Sequence, residues 1–400
     1  MKRKMIKGIY VLGRALLMCL CAVLLCSAAF TETAGTAEVP VDLGNTEGPD
    51  RLFGFCTLPD GRIVFAGHTE KPDGSGRTAA RLLCLNPDRT VCWDYTDPKL
   101  SSFSEIAAAG DDTVAVFCDD FKVRFFTADG EPAGKTLSES AVYYGGLYRL
   151  TSFGLLWYNQ ADRKTELTGW DGNILFRADI PECMWAGAQP LEDADGLVLS
   201  GQEAGDPAAV HAKVMKIDLQ GNTVWDTVFP ALSEKRDAAG ARSVLKTSDG
   251  GSLTVVWEYR DIPGSDRDEG HSVLYKLDAG GQILWKNETE STYWSMAEYD
   301  GKYVTSEQMT DTDTDDRRMN FVWLDTDGNI LGTTEYELRD DAFPPYADSG
   351  TASVSMEEFV PMTDGLWELW TFWEPETEDP EDEEPAWTQQ DNTLVRVPLL

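Results

Sequence analysis

Histidine and basic residues are scarce in this chain, and several signatures of catalytic centres are missing. Its 400 residues include three histidines, with 34 Lys and Arg against 69 Asp and Glu. The resulting net charge of −35 repels nucleic acid and anionic membranes. The histidines have no metal-ligand spacing, and no G-x-S-x-G, P-loop or H-E-x-x-H sequence occurs. We therefore do not expect a nucleic-acid-binding protein, and the sequence points to no particular enzyme class.

Long apolar runs are also rare, and the longest lies at the N-terminus. Ala15–Phe30 is an uncharged run of 16 residues that follows a basic segment. This pattern predicts a secretory signal, and the run is short for a membrane span of about 20 residues. We assign residues 1–29 to a signal peptide or N-terminal anchor and 30–36 to a short linker, with the folded domain at 37–400. Lipidation of Cys26 is an alternative anchor, although Leu25 occupies a position where a lipobox has a small residue. We thus expect an extracellular or cell-surface protein that contacts a membrane only through this segment.

Cysteine is limited to eight residues, of which five lie after the leader. An odd number leaves at least one thiol without an intrachain partner. Cys84 and Cys92 flank the turn NPDR and would lie opposite each other if the hairpin were centred on Asp88. We predict a disulfide between them, and buried free thiols are the alternative.

Two kinds of β-hairpin alternate along the rest of the chain. LYKLDAGGQILWKNE, which starts at Leu274, has close relatives at Val214, Asn320 and Glu166, and looser copies at Leu82 and Arg124. Each combines a β-prone run, a turn rich in Asp, Asn or Gly, and a second β-prone run. A second hairpin, clearest in VLKTSDGGSLTVVWEY from Val244, occurs seven times. Trp225 and Trp285 share one repeat position, which indicates packing between repeats.

Six complete pairs of hairpins and a truncated seventh predict an all-β, seven-bladed β-propeller with four-stranded antiparallel blades. We name the strands of a blade A to D; for blade 5 they are predicted at 243–248, 252–259, 271–277 and 282–288. The last repeat supplies only strands A to C, and AEVPVDL (37–43) offers an isolated β-prone run. We expect this N-terminal run to close the ring as the missing strand D. A solenoid or a pair of β-sandwiches could carry similar hairpins, but neither explains the split repeat.

TSDGGSLTVV followed by LYKLDAGGQILWKN resembles the repeats of secreted bacterial PQQ-like (quinoprotein-like) β-propeller proteins. The resemblance is good in blades 4 to 6 and weak elsewhere, and it implies the fold. It does not imply the quinone, because the chain lacks the adjacent cysteine pair of quinoprotein alcohol dehydrogenases. No catalytic residue is transferred by it, and we expect no cofactor other than calcium.

The loops between strands B and C carry the sequence features that differ between repeats. Three of them are long and acidic: Arg260–Gly270, Gln308–Arg318 and Glu374–Gln390. Because all B–C connections leave a blade on the same side, these segments should gather on one face of the disc. A binding face for a cationic partner is one interpretation, and the ordinary polarity of variable loops is the other.

Two sets of side chains are weak candidates for sites. Asp311, Asp313 and Asp315 alternate as in an EF-hand loop, but Asp316 and Val322 replace its required Gly and Glu, which leaves only a looser calcium site. Three tryptophans outside the repeat positions are candidates for an exposed aromatic platform: Trp185, Trp294 and Trp387.

These features predict a monomeric, non-catalytic, secreted or surface-anchored binding or scaffold module for protein, peptide or glycan, and a passive cell-envelope scaffold is a further possibility. The alternative is a carbohydrate-active or other enzyme with its site on the loop face. An Arg-lined central funnel with exposed tryptophans would favour the enzyme, and an acidic face without a pocket would favour the binding module.

Overall fold

The structure, a computed structural model, shows 28 β-strands and a 3-10 helix (Glu182–Met184) in the residues that it describes. The residues it describes are 41–44, 50–71, 73, 75, 77–110, 112–138, 147–159, 161–184, 190–193, 195–203, 211–230, 238–261, 268–288, 293–310, 317–336, 353–362, 364–375 and 387–400. The predicted leader and linker lie outside these ranges. In the described ranges, no helix has the length and apolar character needed to cross a membrane.

The strands form seven four-stranded antiparallel sheets, which confirms the predicted seven-bladed propeller. In chain order, the strands of blades 1 to 3 are β2 (Arg51–Thr57), β3 (Ile63–Glu70), β4 (Thr78–Leu85) and β5 (Val91–Asp97); β6 (Phe103–Ala108), β7 (Thr113–Cys118), β8 (Lys122–Thr127) and β9 (Pro132–Ser138); β10 (Tyr148–Thr151), β11 (Gly154–Asn159), β12 (Lys164–Gly169) and β13 (Ile174–Ala178). Those of blades 4 and 5 are β14 (Leu191–Asp193), β15 (Gly196–Gln202), β16 (Ala212–Asp218) and β17 (Thr223–Val228); β18 (Ala238–Lys246), β19 (Ser252–Asp261), β20 (Asp268–Leu277) and β21 (Ile283–Glu288). Those of blades 6 and 7 are β22 (Tyr293–Tyr299), β23 (Lys302–Thr310), β24 (Arg317–Leu324) and β25 (Ile330–Tyr336); β26 (Ser353–Met362), β27 (Gly365–Pro375), β28 (Trp387–Arg396) and β1 (Val41–Asp42).

Blade 7 is assembled from both ends of the folded region, as the split repeat predicts. Strand β1 pairs antiparallel with β28, with Val41 opposite Leu394 and Asp42 opposite Thr393. The N–H of Leu43 donates to the carbonyl of Asn392 at 2.9 Å. The Asn392 side chain accepts a hydrogen bond from the N–H of Leu52 in blade 1 at 2.6 Å. One residue of β28 therefore binds both the closing strand and the first blade.

The apolar core is divided among the junctions between blades. The buried residues form seven clusters, and each cluster combines side chains from two neighbouring blades. Strands A of neighbouring blades contact one another, as β2 does with β6 and β22 with β26, so these strands are innermost. A single four-stranded sheet cannot cover both of its faces, so each blade depends on its neighbours for burial.

The repeated Trp and Gly residues join the outer parts of neighbouring blades. The ring of Trp225 lies against Gly281 of the next blade, and Trp285 lies against Gly328 of the one after it. The indole Nε1 of Trp285 donates to the carbonyl of Thr326 at 2.9 Å. The predicted packing role of Trp225 and Trp285 is therefore confirmed, and the turn glycine is needed because a larger residue would meet the ring.

The two junctions of blade 7 use different contacts, because this blade has no C–D turn. In blade 6, Gly332 lies where blade 5 has Trp285, and the side chain of Leu400 covers it. At the junction with blade 1, the guanidinium of Arg89 lies 4.2 Å from the ring centroid of Trp367 and forms a 3.0 Å ion pair with Asp364. Arg89 occupies the turn position of Gly281 and also has a positive φ, of 71°. The closing junction thus combines a cation–π contact with an ion pair.

Candidate functional site

The B–C hairpins of blades 5, 6 and 7 are longer than the sequence indicated. The expected loops are partly strand: the β19–β20 ladder continues to Asp261 opposite Asp268, and the β23–β24 ladder to Thr310 opposite Arg317. The β27–β28 ladder continues to Pro375 opposite Trp387. By contrast, the B–C ladder of blade 2 ends at Phe117 opposite Val123. Polar residues extend these strands because each hairpin carries its own backbone hydrogen bonds.

These three hairpins belong to three of the seven blades and extend toward the loop face, by which we mean the face that carries the B–C and D–A connections. Their segments Arg260–Gly270, Gln308–Arg318 and Glu374–Gln390 contain 16 acidic and four basic residues. Eight of the acidic residues and none of the basic ones lie in the last segment. Because blades 5 to 7 are consecutive, their hairpins emerge side by side. The acidic segments therefore belong to three consecutive blades, and we call this part of the ring the acidic sector.

Two of the three tryptophans predicted to form an aromatic platform have backbones in strands. The backbone of Trp387 lies in β28, opposite Pro375. Trp294 is the second residue of the inner strand β22, directly after the D–A connection. Trp185 lies outside the described residues. The aromatic platform therefore stays a prediction.

The calcium candidates Asp311, Asp313 and Asp315 lie outside the described residues. Within the described ranges, no group of three or more His, Cys, Asp or Glu side chains is arranged to hold a metal ion.

The inner strands contain a feature that the sequence did not reveal. Five of the seven strands A have a β-bulge about midway or toward the loop face, at Leu52/Gly54, Phe103/Glu105, Ala241/Ser243, Tyr293/Met296 and Met356/Glu358. A bulge leaves a residue out of the ladder and changes the direction of its side chain. Phe53 and Arg242 are two of the residues left out of a ladder, so their side chains depart from the regular alternation between the two faces of the sheet.

Two arginines of the inner strands lie over aromatic rings near these bulges. The guanidinium of Arg242 is 4.0 Å from the ring centroid of Trp257, and that of Arg51 is 4.8 Å from the ring of Phe53. Arg242 is an exposed residue, but part of its side chain is shielded from solvent, which lowers its pKa from the usual arginine value. Burial also lowers the pKa of His68 to about 4, with a further contribution from Arg51. His68 is therefore neutral at physiological pH, and the positive charge here comes from the arginines.

On the opposite turn face, which carries the A–B and C–D turns, a cleft separates blades 4 and 5. It is a small depression that is open to solvent and has room for about one water molecule. Asp193 on its wall forms ion pairs with Lys216 at 2.5 Å and with Lys246 at 2.8 Å. The buried hydroxyl of Ser252 and the indole N–H of Trp225 also line the cleft, and neither has a hydrogen-bond partner among the described residues. The cleft contains paired charges and two unsatisfied polar groups, which can accommodate a water-sized polar group.

Cys84 and Cys92, the pair for which a disulfide is predicted, are both free thiols in this structure. The expected register was wrong, because a β-bulge pairs Cys84 with Trp93 and leaves Cys92 out of the ladder. Cys84 is fully buried, and Cys92 is exposed.

Comparison with known proteins supports the fold and gives no family. No protein-family model matches the chain, and no curated protein matches it. The Raptor structure from Chaetomium thermophilum is similar over 90% of this chain and 30% of its own length, with 9% identity and a TM-score of 0.51. BamB from Moraxella catarrhalis matches 89% of this chain and 100% of its own, at 9% identity and a TM-score of 0.43. The C-terminal WD40 domain of Sif2 matches 91% of this chain and 100% of its own, at 8% identity and a TM-score of 0.45.

Proposed function

We propose that this protein is a non-catalytic binding module that docks a basic protein or peptide on the acidic sector of its loop face. The observation that carries the proposal is the elongation of three consecutive B–C hairpins, whose segments hold 16 acidic and four basic residues. The ladders at the bases of these hairpins extend to Asp261, Thr310 and Pro375, and the acidic sequences continue from them.

Electrostatics explains how such a surface would select its partner. A concentrated acidic field accelerates the encounter with a basic partner and disfavours acidic competitors. Exposed charges are screened by salt over a Debye length of about 8 Å at physiological ionic strength. Association should therefore be fast at low salt and should weaken steeply as salt is added.

The test is titration of the whole protein with a synthetic Lys-rich peptide, followed by fluorescence anisotropy at low and high NaCl. A variant with Glu376, Glu378, Glu381 and Glu383 changed to Gln should bind more weakly than the wild type. Its matched control carries Asp97→Asn, Glu131→Gln, Asp179→Asn and Asp226→Asn, which remove the same charge away from these hairpins. Equal losses in both variants would contradict a docking sector, since they would show a response to net charge alone.

The carbohydrate-active enzyme remains the second candidate, and Arg242 over Trp257 is the observation that favours it. An arginine beside an indole is a suitable pair for a sugar that bears an acidic group. Incubation with a library of acidic oligosaccharides should then show binding or turnover that Arg242→Ala abolishes. Unchanged binding in that variant would remove this candidate.

We propose that the chain is exported and reaches the cell surface or the medium. The basic segment and apolar run of residues 1–30 support this proposal. Expression with a C-terminal tag should yield a processed protein whose N-terminus lies near Ser27–Phe30, and Cys26→Ser should leave its release unchanged if no lipid is attached. Retention of the full leader in the cytoplasm would contradict export.

A further inference from the structure

The hairpin of β4 and β5 in blade 1 brings two free thiols together at a β-bulge. Leu85 pairs with Val91, and the next pair is Cys84 with Trp93, so Cys92 is the additional residue of the bulge. At such a bulge two residues of one strand lie opposite one residue of the other. Cys84 therefore has both Cys92 and Trp93 opposite it.

The bulge places the two thiols next to each other. Cys92 adjoins Trp93, the direct partner of Cys84, and the two thiols are within hydrogen-bonding distance. Disulfides span Cα–Cα distances of about 4.4–6.8 Å, a range that includes the separation of neighbouring antiparallel strands. The third thiol of this blade, Cys56, is less suitable: Cys56 pairs with Val64, which pairs with Cys84 on its other side. Two strand spacings separate Cys56 from Cys84 by about 9.5 Å, beyond the disulfide range.

The two thiols have different surroundings. Cys84 is fully buried, and its pKa is raised to about 12 by burial and, to a smaller extent, by the neighbouring Cys92 thiol. Cys92 is exposed on the outer strand of the blade, and Nη1 of Arg62 lies 3.7 Å from its Sγ. The same Nη1 donates to the carbonyl of Ala128 in blade 2 at 2.8 Å. An oxidant in solution therefore meets Cys92 first.

We propose that Cys84 and Cys92 are a redox-active pair that forms a reversible disulfide across this bulge by exchange with a small-molecule disulfide. The Cys92 thiolate attacks one sulfur of the external disulfide, which forms a mixed disulfide and releases the first external thiolate. The Cys84 thiolate then attacks Cys92 Sγ, which closes the internal disulfide and releases the second external thiolate. Two protein thiols are oxidised, one external disulfide is reduced to two thiols, and their protons pass to the released thiolates.

Closure would also affect the junction between blades 1 and 2. The carbonyl of Ala128 accepts hydrogen bonds from Arg62 and from Nε1 of Trp93, the latter at 3.0 Å. The disulfide would draw Cys92 toward Cys84 and away from Arg62. The oxidation state is thereby coupled to the contact that holds the two blades together, and oxidation should fix the outer strand against β4.

The experiment exposes the purified protein to excess oxidised glutathione and maps its tryptic peptides without reduction. Because trypsin cleaves after Arg89, the disulfide should join Leu82–Arg89 to Thr90–Lys99, while Cys56, Cys118 and Cys183 are alkylated after unfolding. Dithiothreitol should separate the two peptides. Closure should accelerate roughly tenfold per pH unit between about pH 7 and 9, because the thiolate fraction of Cys84 is small and grows with pH.

The variants decide between closure and simple modification. Cys92→Ser, which changes an exposed residue, should abolish both the cross-link and the first uptake of glutathione. Cys84→Ser should stop at the mixed disulfide on Cys92. If the wild type also stops at the mixed disulfide, or if both of its thiols stay reduced, the redox pair is refuted. The serine of Cys84→Ser is buried and could impair folding. Cys92→Ser changes an exposed residue, so the comparison of the wild type with Cys92→Ser does not depend on that variant.

Discussion

Trp285 lies against Gly328 of the following blade so closely that a Cβ on the glycine would be 2.6 Å from the indole ring. Asn287, two residues along the same strand, donates to the carbonyl of Gly328 at 2.9 Å. The strand of one blade and the turn of the next therefore meet at Gly328, and this close packing is possible because glycine has no side chain.

Gly328→Ala should destabilise the fold by about 2–4 kcal/mol, the combined cost of a left-handed non-glycine residue and of overpacking. Gly301→Ala is the matched control, because Gly301 also has a positive φ of 69° but has no atom near its Cβ position. It should cost only about 1–2 kcal/mol. Chemical denaturation of both variants measures the difference in their free energies of unfolding. Equal losses of stability would show that the indole ring of Trp285 moves aside without an energetic penalty.

Removal of Val39–Leu43 should lower the melting temperature sharply. Strand β28 would lose its pairing with β1, and blade 7 would lose its outer strand. A milder change, Asn392→Ala, leaves the N–H of Leu52 without its acceptor. Its expected cost is about 1–3 kcal/mol, the penalty for an unsatisfied buried group. Thermal unfolding followed by circular dichroism tests both changes, and an unaltered melting curve after the deletion would contradict closure through β1.

Glu368 in blade 7 should make stability fall as pH rises. Burial raises the pKa of its carboxyl, while Ser295 at 2.5 Å and Nε1 of Trp370 at 2.7 Å donate hydrogen bonds to it. A carboxyl whose pKa is higher in the folded state contributes most below its unfolded pKa and loses that contribution as pH rises through the folded value.

The stability of the wild type relative to Glu368→Gln should therefore decline from the ordinary glutamate range upward. Urea unfolding at several pH values measures this difference. A constant difference across the range would show that the carboxyl titrates normally.

Millimolar Ca²⁺ should raise the melting temperature if Asp311, Asp313 and Asp315 form a calcium site, since a ligand that binds only the folded state stabilises it. Changing all three to Asn should remove the shift, and Mg²⁺ should produce a smaller one because it needs a stricter octahedral geometry. The absence of any shift with Ca²⁺ would eliminate the site.

The repeat logic of the sequence predicts the blades because the same residues serve the same purpose in each. Asp278, Gly281 and Trp285 form a turn and a packing contact, and their recurrence at Asp218, Gly221 and Trp225 identifies a structural unit. For blade 5 the predicted and observed strands agree within two residues at the turn face, whereas β18, β19 and β20 extend two to five residues further than predicted at the loop face. The closure of the ring was also predictable, because blade 7 lacked one strand and the N-terminal segment supplied one.

The predictions that differ from the structure share a physical cause. Strand register and strand length depend on contacts with neighbouring strands and blades, which the pattern of residues along one strand does not show. Alternation along VCWDYT gives no sign that Cys92 is left out of the ladder, so the thiols were placed directly opposite each other. Polar hairpin strands such as the one that contains Trp387 carry no apolar alternation. The contact of Arg89 with Trp367 could not be foreseen, because it replaces the repeated contact only where the ring closes.

The pairing of Val41 with Leu394 has a consequence for how the chain acquires its structure. The first strand has no partner until the last strand has emerged, so the circle stays open during most of synthesis. Bringing such distant segments together costs loop-closure entropy, and this places ring closure late in folding. Blade 7 is therefore expected to be the last blade to be completed, after the other six have formed.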